Sequence, residues 1–201
     1  MSETHFSYSQ KFFFRAFPPP KFLLMSAVGI DISDHAVRFL ELTPHKGQFF
    51  LGRYGEQNLP DGVISFGEIK DPGTLKTALI GLRRDHNLSF VRASLPEEKA
   101  FLFHQEVPAD LSEEEIRENI SFQLEEHVPL KPEDAEFDFY FTEPIFRKND
   151  PASEMREILV SVFPRLTVES YLDAYTGAGL MPLSFEMEAT ALARALVPRG
   201  D

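Results

Sequence analysis

AVGIDI at residues 27–32, followed by AVRFLELT at residues 36–43, is the stretch of this sequence that decides the fold. The first run is short and largely apolar. The second run alternates, with Val37 and Phe39 on one side and Arg38 on the other. A period of two is typical of a strand that buries one face. The stretch therefore predicts two strands joined by a tight turn.

Helical periodicity and turn residues divide the rest of the chain into further strands and helices. Asp71 is a typical N-cap with Pro72 at the first helical position, and Ser112 and Glu115 form a capping box. After a turn at 45–47, the predicted elements are a strand at 48–54, a helix at 72–86, strands at 90–95 and 100–107, a helix at 112–128, strands at 136–141 and 156–163 around a loose connection at 147–153, a helix after residue 164, a strand at 182–186 and a helix at 187–196. The order is β-β-β-α-β, then β-α-β-β-α, then β-α. It predicts a mixed α/β chain with an inserted block.

Composition narrows the class of protein. The 201 residues are 43% hydrophobic, which is enough for the core of one domain or two small ones. A formal net charge of −12 argues against nucleic-acid binding, which depends on clustered Lys and Arg. The chain has no Cys, which is typical of a reducing compartment. Since no apolar run approaches the roughly 20 residues of a membrane-spanning helix, the sequence predicts a cytoplasmic protein without a transmembrane segment.

Residues 1–26 form an arm that is basic and aromatic, with three Lys or Arg residues against one Glu. Two interpretations fit this composition. The arm is either a short peptide for a membrane surface or a partner, or a disordered leader upstream of a start at Met25. The sequence favours the disordered leader.

Catalytic and metal-binding patterns are not found in the sequence. The six histidines are scattered and lack the spacing of metal ligands. No nucleophile elbow, glycine-rich P-loop or paired carboxylates can be identified. The sequence therefore predicts no catalytic residue.

Three stretches, in their order and spacing, are similar to one protein family. The first is GIDIS at residues 29–33, before the second strand. The second is VPADLSEEEIRENISFQLEEHVP at 107–129, and the third is YLDAYTGAGLMPLSFEMEATALARAL at 171–196. Together with GEIKD at 67–71, they resemble the PilM family of type IV pilus assembly proteins, which are actin-like and related to FtsA. The resemblance extends over residues 27–197.

The resemblance implies an actin-like, FtsA-like ATPase fold. Residues 27–95 and 182–201 would form the first actin-like subdomain, and 96–181 would form the inserted FtsA-type subdomain. The arm at 1–26 would lie outside both. The family's second phosphate loop and adenosine motif would lie beyond Asp201, so the chain would hold about the first half of a family member.

The resemblance also implies a phosphate loop at Asp31, Ser33 and Asp34, with Asp31 near the magnesium of bound ATP. Such a loop works because a tight hairpin directs backbone N–H groups at the anion. Ser33 stands at the family's glycine position, and Asp34 adds a carboxylate that repels phosphate. Alternatively, Asp31 and Asp34 only cap a hairpin turn. We expect a degenerate loop: ATP and Mg²⁺ are possible cofactors of the full-length family, and none is expected for this chain alone.

The function that the resemblance implies is a cytoplasmic scaffold of type IV pilus assembly, peripheral to the inner membrane. It would bind the short cytoplasmic tail of an inner-membrane partner, PilN-like, in a groove near residues 95–99 and 180–184. The alternatives are an FtsA-like cell-division protein, a type II secretion assembly protein, and a fragment of an actin-fold sugar kinase or ATPase, because fold alone does not fix function. Self-association is also left open.

Overall fold

The computed structural model describes residues 27–45, 48–142 and 155–196. The sequence predictions that fall outside these residues are the arm at 1–26, Lys46 and Gly47 of the second turn, the connection at 147–153, and residues 197–201 of the predicted first subdomain.

The described chain is mixed α/β, and its elements follow the predicted order except for two short strands, at 64–65 and 68–69, that precede the first helix. The strands are β1 (Val28–Ile32), β2 (Ala36–His45), β3 (Gln48–Asn58), β4 (Ile64–Ser65), β5 (Glu68–Ile69), β6 (Phe90–Leu95), β7 (Phe101–Pro108), β8 (Ala135–Phe141), β9 (Met155–Pro164) and β10 (Met181–Met187). The helices are α1 (Pro72–His86), α2 (Glu113–His127), α3 (Arg165–Gly177) and α4 (Glu188–Leu196).

The larger sheet has five strands in the order β10-β6-β1-β2-β3. β1, β2 and β3 pair antiparallel, which confirms the predicted meander, and β6 pairs parallel with both β1 and β10. β3 continues four residues beyond its predicted end, because Asn58 still pairs with Ala36 at the start of β2. β10 and β3 are the end strands of this sheet.

The first hydrophobic core lies on one face of the larger sheet, beneath α1 and α3. Val28, Ile30 and Ile32 alternate along β1 and are all buried in it, as the period of two predicts. Helix α1 contributes Leu75 and Leu79, whose side chains are fully buried. The opposite face of the sheet carries the intervening residues of each strand, and this outer face includes Gly29 and Asp31 of β1.

The second core lies between a three-stranded antiparallel sheet, in the order β7-β9-β8, and helix α2. The predicted capping box begins this helix, since Ser112 accepts from the Glu115 backbone and the Glu115 carboxylate accepts from the Ser112 backbone. The spacing of four then places Ile116, Ile120 and Leu124 on the buried face. The smaller sheet and helix α2 therefore share a hydrophobic core that is separate from the first one.

Helix α3 falls within the predicted insert, 96–181, but it packs on the larger sheet. Its residues Tyr171, Ala174 and Tyr175 belong to the first core, together with Phe163 near the end of β9. The chain passes from β9 directly into α3, so one continuous segment contributes to both cores. The division of the chain into subdomains stays a prediction, and the packing of α3 indicates that the insert shares this helix with the first core.

Two tyrosines of α3 give a test of this packing. Both side chains are fully buried, and the Tyr171 hydroxyl donates to Gly67 O at 3.2 Å, whereas the Tyr175 hydroxyl has no protein partner among the described residues. We expect Tyr171→Phe to lower the free energy of unfolding by about 1 kcal/mol, because a buried carbonyl loses its donor. Tyr175→Phe should leave it unchanged or raise it, because an unsatisfied hydroxyl is removed. Chemical denaturation measures both, and equal losses in the two variants would contradict the packing.

Candidate functional site

The predicted phosphate loop is the turn between β1 and β2, and Ser33 closes this turn. Ser33 N donates to Ala36 O at 2.9 Å, and Ser33 Oγ donates to the same carbonyl at 3.1 Å. Ala36 N in turn lies 3.3 Å from Ser33 Oγ and donates to it. The side chain at the family's glycine position is therefore part of the turn's own hydrogen bonding.

Asp34 reaches out of this turn to a second hairpin, formed by β4 and β5. Its carboxylate accepts from Phe66 N at 3.0 Å and from Gly67 N at 3.3 Å. Both residues have positive φ, 51° and 70°, as in a two-residue hairpin turn. Consecutive N–H groups of this kind form an anion-binding nest, and here a carboxylate of the same chain occupies it.

Asp31 lies on the outer face of the larger sheet and accepts from Ser94 Oγ of β6 at 2.5 Å. The carboxylates of Glu97, Glu98 and Glu188 lie near it, and Arg38 of β2 is its register partner. Partial burial and the charges of Asp31, Glu97 and Glu98 raise the pKa of Glu188 above its ordinary value. An incoming phosphate would meet the same repulsion.

The three predicted site residues are thus close in sequence but make different structural contacts. Asp31 pairs with β6, Ser33 closes the turn, and Asp34 holds another hairpin. No group of three or more His, Asp or Glu within the described ranges could hold a metal ion. That the turn binds phosphate and its magnesium poorly in this chain stays a prediction.

A groove, called here the sheet groove, lies on the outer face of the larger sheet next to α4. Its volume is about 840 Å³. Asp31 lines it, together with apolar side chains such as Leu40, Tyr54 and Leu192. The strands beneath its centre, β1 and β6, are paired on both sides.

Another groove, called here the junction groove, lies where the smaller sheet meets the larger one, and its volume is about 160 Å³. Strands β8 and β10 contribute most of its lining, β9 contributes two residues, and β6 and helix α3 contribute one each. The lining residues are Leu95, Glu136, Phe137, Asp138, Tyr140, Ser161, Phe163, Val168, Phe185, Glu186 and Met187. The sequence analysis predicted a peptide-binding groove near residues 95–99 and 180–184. Leu95 does line this groove, but β10 contributes residues just after the second predicted range.

Charged and aromatic groups form one wall of the junction groove. Glu136, Asp138 and Tyr140 share one face of β8, and Glu186 faces them from β10. Burial, and then the charges of Glu186 and Asp138, raise the pKa of the Tyr140 hydroxyl above its ordinary value. Sequence reasoning missed all these residues. The alternation of EFDFYF at residues 136–141 indicated which residues share a face of the strand. It did not indicate which other elements lie against that face.

Comparison with solved structures places this fold among the actin-like proteins. A structure described as the PilM-PilN type IV pilus biogenesis complex superposes with a TM-score of 0.74 at 21% identity, covering 86% of this chain and 50% of that one. The cytoplasmic domain of EpsL, an inner-membrane component of the type II secretion system of Vibrio cholerae, gives a TM-score of 0.52 at 12% identity and covers 87% of this chain and 60% of that one. The chain thus spans about half of the first structure.

A family model described as type IV pilus assembly protein PilM matches residues 29–198. The chain therefore belongs to the PilM family. This result confirms the family and the actin-like fold that the sequence motifs implied. The fold is compatible with ATP and Mg²⁺ in a full-length family member. No helix of the described residues is long and apolar enough to cross a membrane.

The role of Asp34 can be tested by removing its carboxylate. We expect Asp34→Ala to lower the free energy of unfolding by about 1 kcal/mol, because the N–H groups of Phe66 and Gly67 lose a charged acceptor. Asp61→Ala is the matched control, since the Asp61 side chain is fully exposed, and it should leave stability unchanged. Thermal unfolding compares the two variants. Equal effects would show that the nest does not depend on Asp34.

Nucleotide binding by this chain gives a separate test. Because Ser33 and Asp34 are engaged within the protein and Asp31 lies among other carboxylates, titration with Mg-ATP should produce no binding heat at micromolar concentrations. Isothermal titration calorimetry measures this directly. A clear micromolar isotherm that Asp31→Ala abolishes would show that the loop is functional.

Proposed function

We propose that this chain is a scaffold module of type IV pilus assembly that binds a short extended peptide in the junction groove. The peptide would be the cytoplasmic tail of a PilN-like inner-membrane protein. Membership of the PilM family and the likeness to a PilM-PilN complex support the role in pilus assembly. The observation that carries the binding site is the position of the groove between two sheets.

The two strands that contribute most of the junction groove's lining, β8 and β10, are end strands. β8 ends the smaller sheet and β10 ends the larger one, so each has an edge that no described strand pairs with. Unpaired strand edges are common sites for binding an extended peptide, which adds as a further strand and places alternate side chains in pockets. The sheet groove offers no such edge at its centre, and for this reason we assign the peptide to the smaller groove.

The backbone of β8 is suited to strand addition. Thr142 N donates to Glu157 O at 3.0 Å, and the register between β8 and β9 is regular, so even-numbered residues direct their backbone groups at β9. Odd-numbered residues direct theirs outward. Two of these outward carbonyls, of Ala135 and Phe137, accept from arginine side chains at 3.4 Å. A peptide N–H could replace such long bonds.

The groove's apolar surface supports recognition of apolar side chains. Leu95, Phe163, Val168 and Phe185 come from four different elements and meet there. A volume of about 160 Å³ suits one or two side chains of a peptide rather than a whole nucleotide. A tail held in this way would keep the chain at the cytoplasmic face of the inner membrane, and the proposal assigns no catalytic step to it.

Titration of the 201-residue chain with the N-terminal tail peptide of a PilN-like protein of the same organism tests this proposal. We expect micromolar affinity, because a peptide of about ten residues buries only a modest area. Tyr140→Ala should weaken binding about fivefold or more, since Tyr140 lines the junction groove. The matched control is Tyr54→Ala, because Tyr54 lines the sheet groove.

Two outcomes would contradict the proposal. One is the absence of binding at hundreds of micromolar while circular dichroism shows the chain to be folded. The other is a loss of affinity in Tyr54→Ala but not in Tyr140→Ala, which would place the peptide in the sheet groove.

A further inference from the structure

Strands β2 and β3 extend beyond the rest of the larger sheet as a two-stranded ribbon, called here the ribbon. Among the described residues, β1 pairs with β2 no further than Leu40, whereas β2 and β3 stay paired as far as His45 and Gln48. All the described residues from Leu42 to Leu51 are exposed. A two-stranded ribbon is only marginally stable by itself in water, and packing against a further element stabilises it.

The outer face of this ribbon is apolar. Alternate residues of β2 pair in register with residues of β3, and the paired side chains lie on the same face. We call these six side chains the outer stripe: Leu40, Leu42, Pro44, Phe49, Leu51 and Tyr54. The stripe continues the sheet groove, since Leu40 and Tyr54 also line that groove. Its five larger side chains are 45–72% exposed, and a contiguous exposed apolar surface of this kind marks an interaction site.

The chain enters the larger sheet beside this stripe. Gly29 of β1 pairs with Leu40, the first residue of the stripe, and the arm at 1–26 lies just before β1 in the chain. At full extension, about 23 Å of chain connects Phe22 to Gly29. Phe49, at the far end of the stripe, is roughly 13 Å along the ribbon from Leu40. The arm can therefore reach the whole stripe, and a segment tethered this closely has a high effective concentration there.

The composition of the arm suits the stripe. Its apolar residues fall mainly in two runs, FFFRAF at 12–17 and FLL at 22–24. Side chains of this size gain the most from covering an apolar surface. The arm also carries three Lys or Arg residues against one Glu, whereas the chain as a whole has a net charge of −12. Charge therefore favours its association with the rest of the protein.

We propose that the arm packs its apolar side chains on the outer stripe of its own chain. The arm is then part of the fold, and it is neither a leader without a role nor a peptide for another surface. It supplies the further element that stabilises the ribbon, and it shields the stripe from other chains. This inference does not depend on the peptide site in the junction groove.

A nitroxide label on the arm tests this contact by nuclear magnetic resonance. The chain has no Cys, so Ala16→Cys gives a single labelling site within the first apolar run. We expect strong paramagnetic broadening of the backbone amide signals of residues 40–43 and 49–54. The amide signals of residues 113–127 should change little, because helix α2 packs on the smaller sheet.

Two further samples separate docking of the arm from its mere attachment. Phe13→Ser, Phe14→Ser and Phe17→Ser together keep the label and the length of the arm but remove the apolar side chains beside the label. The paramagnetic relaxation rates in the ribbon should fall about threefold or more in this variant. The other sample mixes labelled chain with unlabelled chain enriched in ¹⁵N. Its ribbon signals should not broaden, because the contact lies within one chain.

Stability gives an independent measurement. A chain that begins at Met25 should unfold at a temperature about 2–4 °C lower than the full chain, because the stripe loses its cover. Leu51→Ser should lower the unfolding temperature more in the full chain than in the shortened one, because the two changes remove the same contact. Phe122→Ser is the matched control, since this side chain of α2 is exposed, and its effect should be the same in both.

Three outcomes would overturn the inference. The first is equal relaxation rates in the ribbon with and without the three serines. The second is broadening in the mixed sample, which would assign the stripe to a second copy of the chain. The third is an effect of Leu51→Ser that is the same in the full and shortened chains.

Discussion

The structure depends on the direct passage of the chain from strand β9 into helix α3. Val160 and Val162 of the strand are fully buried in the second core, while Phe163 and Tyr171, just beyond them, are buried in the first. Because no flexible linker separates these residues, the packing of this helix helps to fix the orientation of the smaller sheet relative to the larger one. The junction groove is the space that this packing leaves between the two sheets.

A hydrogen-bonded network reinforces the same junction. Asp34 binds the turn of the β4–β5 hairpin, and Tyr171 donates to the carbonyl of Gly67 in that turn. Gly67 also lies so close to Pro96, at the entrance to the smaller sheet, that a Cβ on Gly67 would come within 2.6 Å of the proline ring. Its φ of 70° further favours glycine. The residues at the position of a phosphate loop thus support the junction, which is consistent with a binding scaffold.

Local signals explain which parts of the fold could be predicted from the sequence. Helix α1 begins after Asp71 and ends at Asn87 in the left-handed conformation, and α2 begins at its capping box, because caps are interactions within a few residues. The β4–β5 hairpin was missed because strands of two residues have no period. The packing of α3 and the acceptor role of Asp34 were missed because their partners lie far away in the chain, at Gly67 and Phe66. The lining of the junction groove comes from several distant elements, so no single motif contains it.

The central claim is that an extended peptide occupies the junction groove between two strand edges with which no described strand pairs. Amide hydrogen exchange, followed by mass spectrometry with and without saturating PilN-like tail peptide, tests it most directly, because strand addition protects edge amides that otherwise exchange quickly. The account predicts slower exchange in residues 135–141 and 181–187, with the turn between β1 and β2 unchanged. Protection confined to the sheet groove, in residues 52–56 and 188–194, or no protection at saturation, would contradict it.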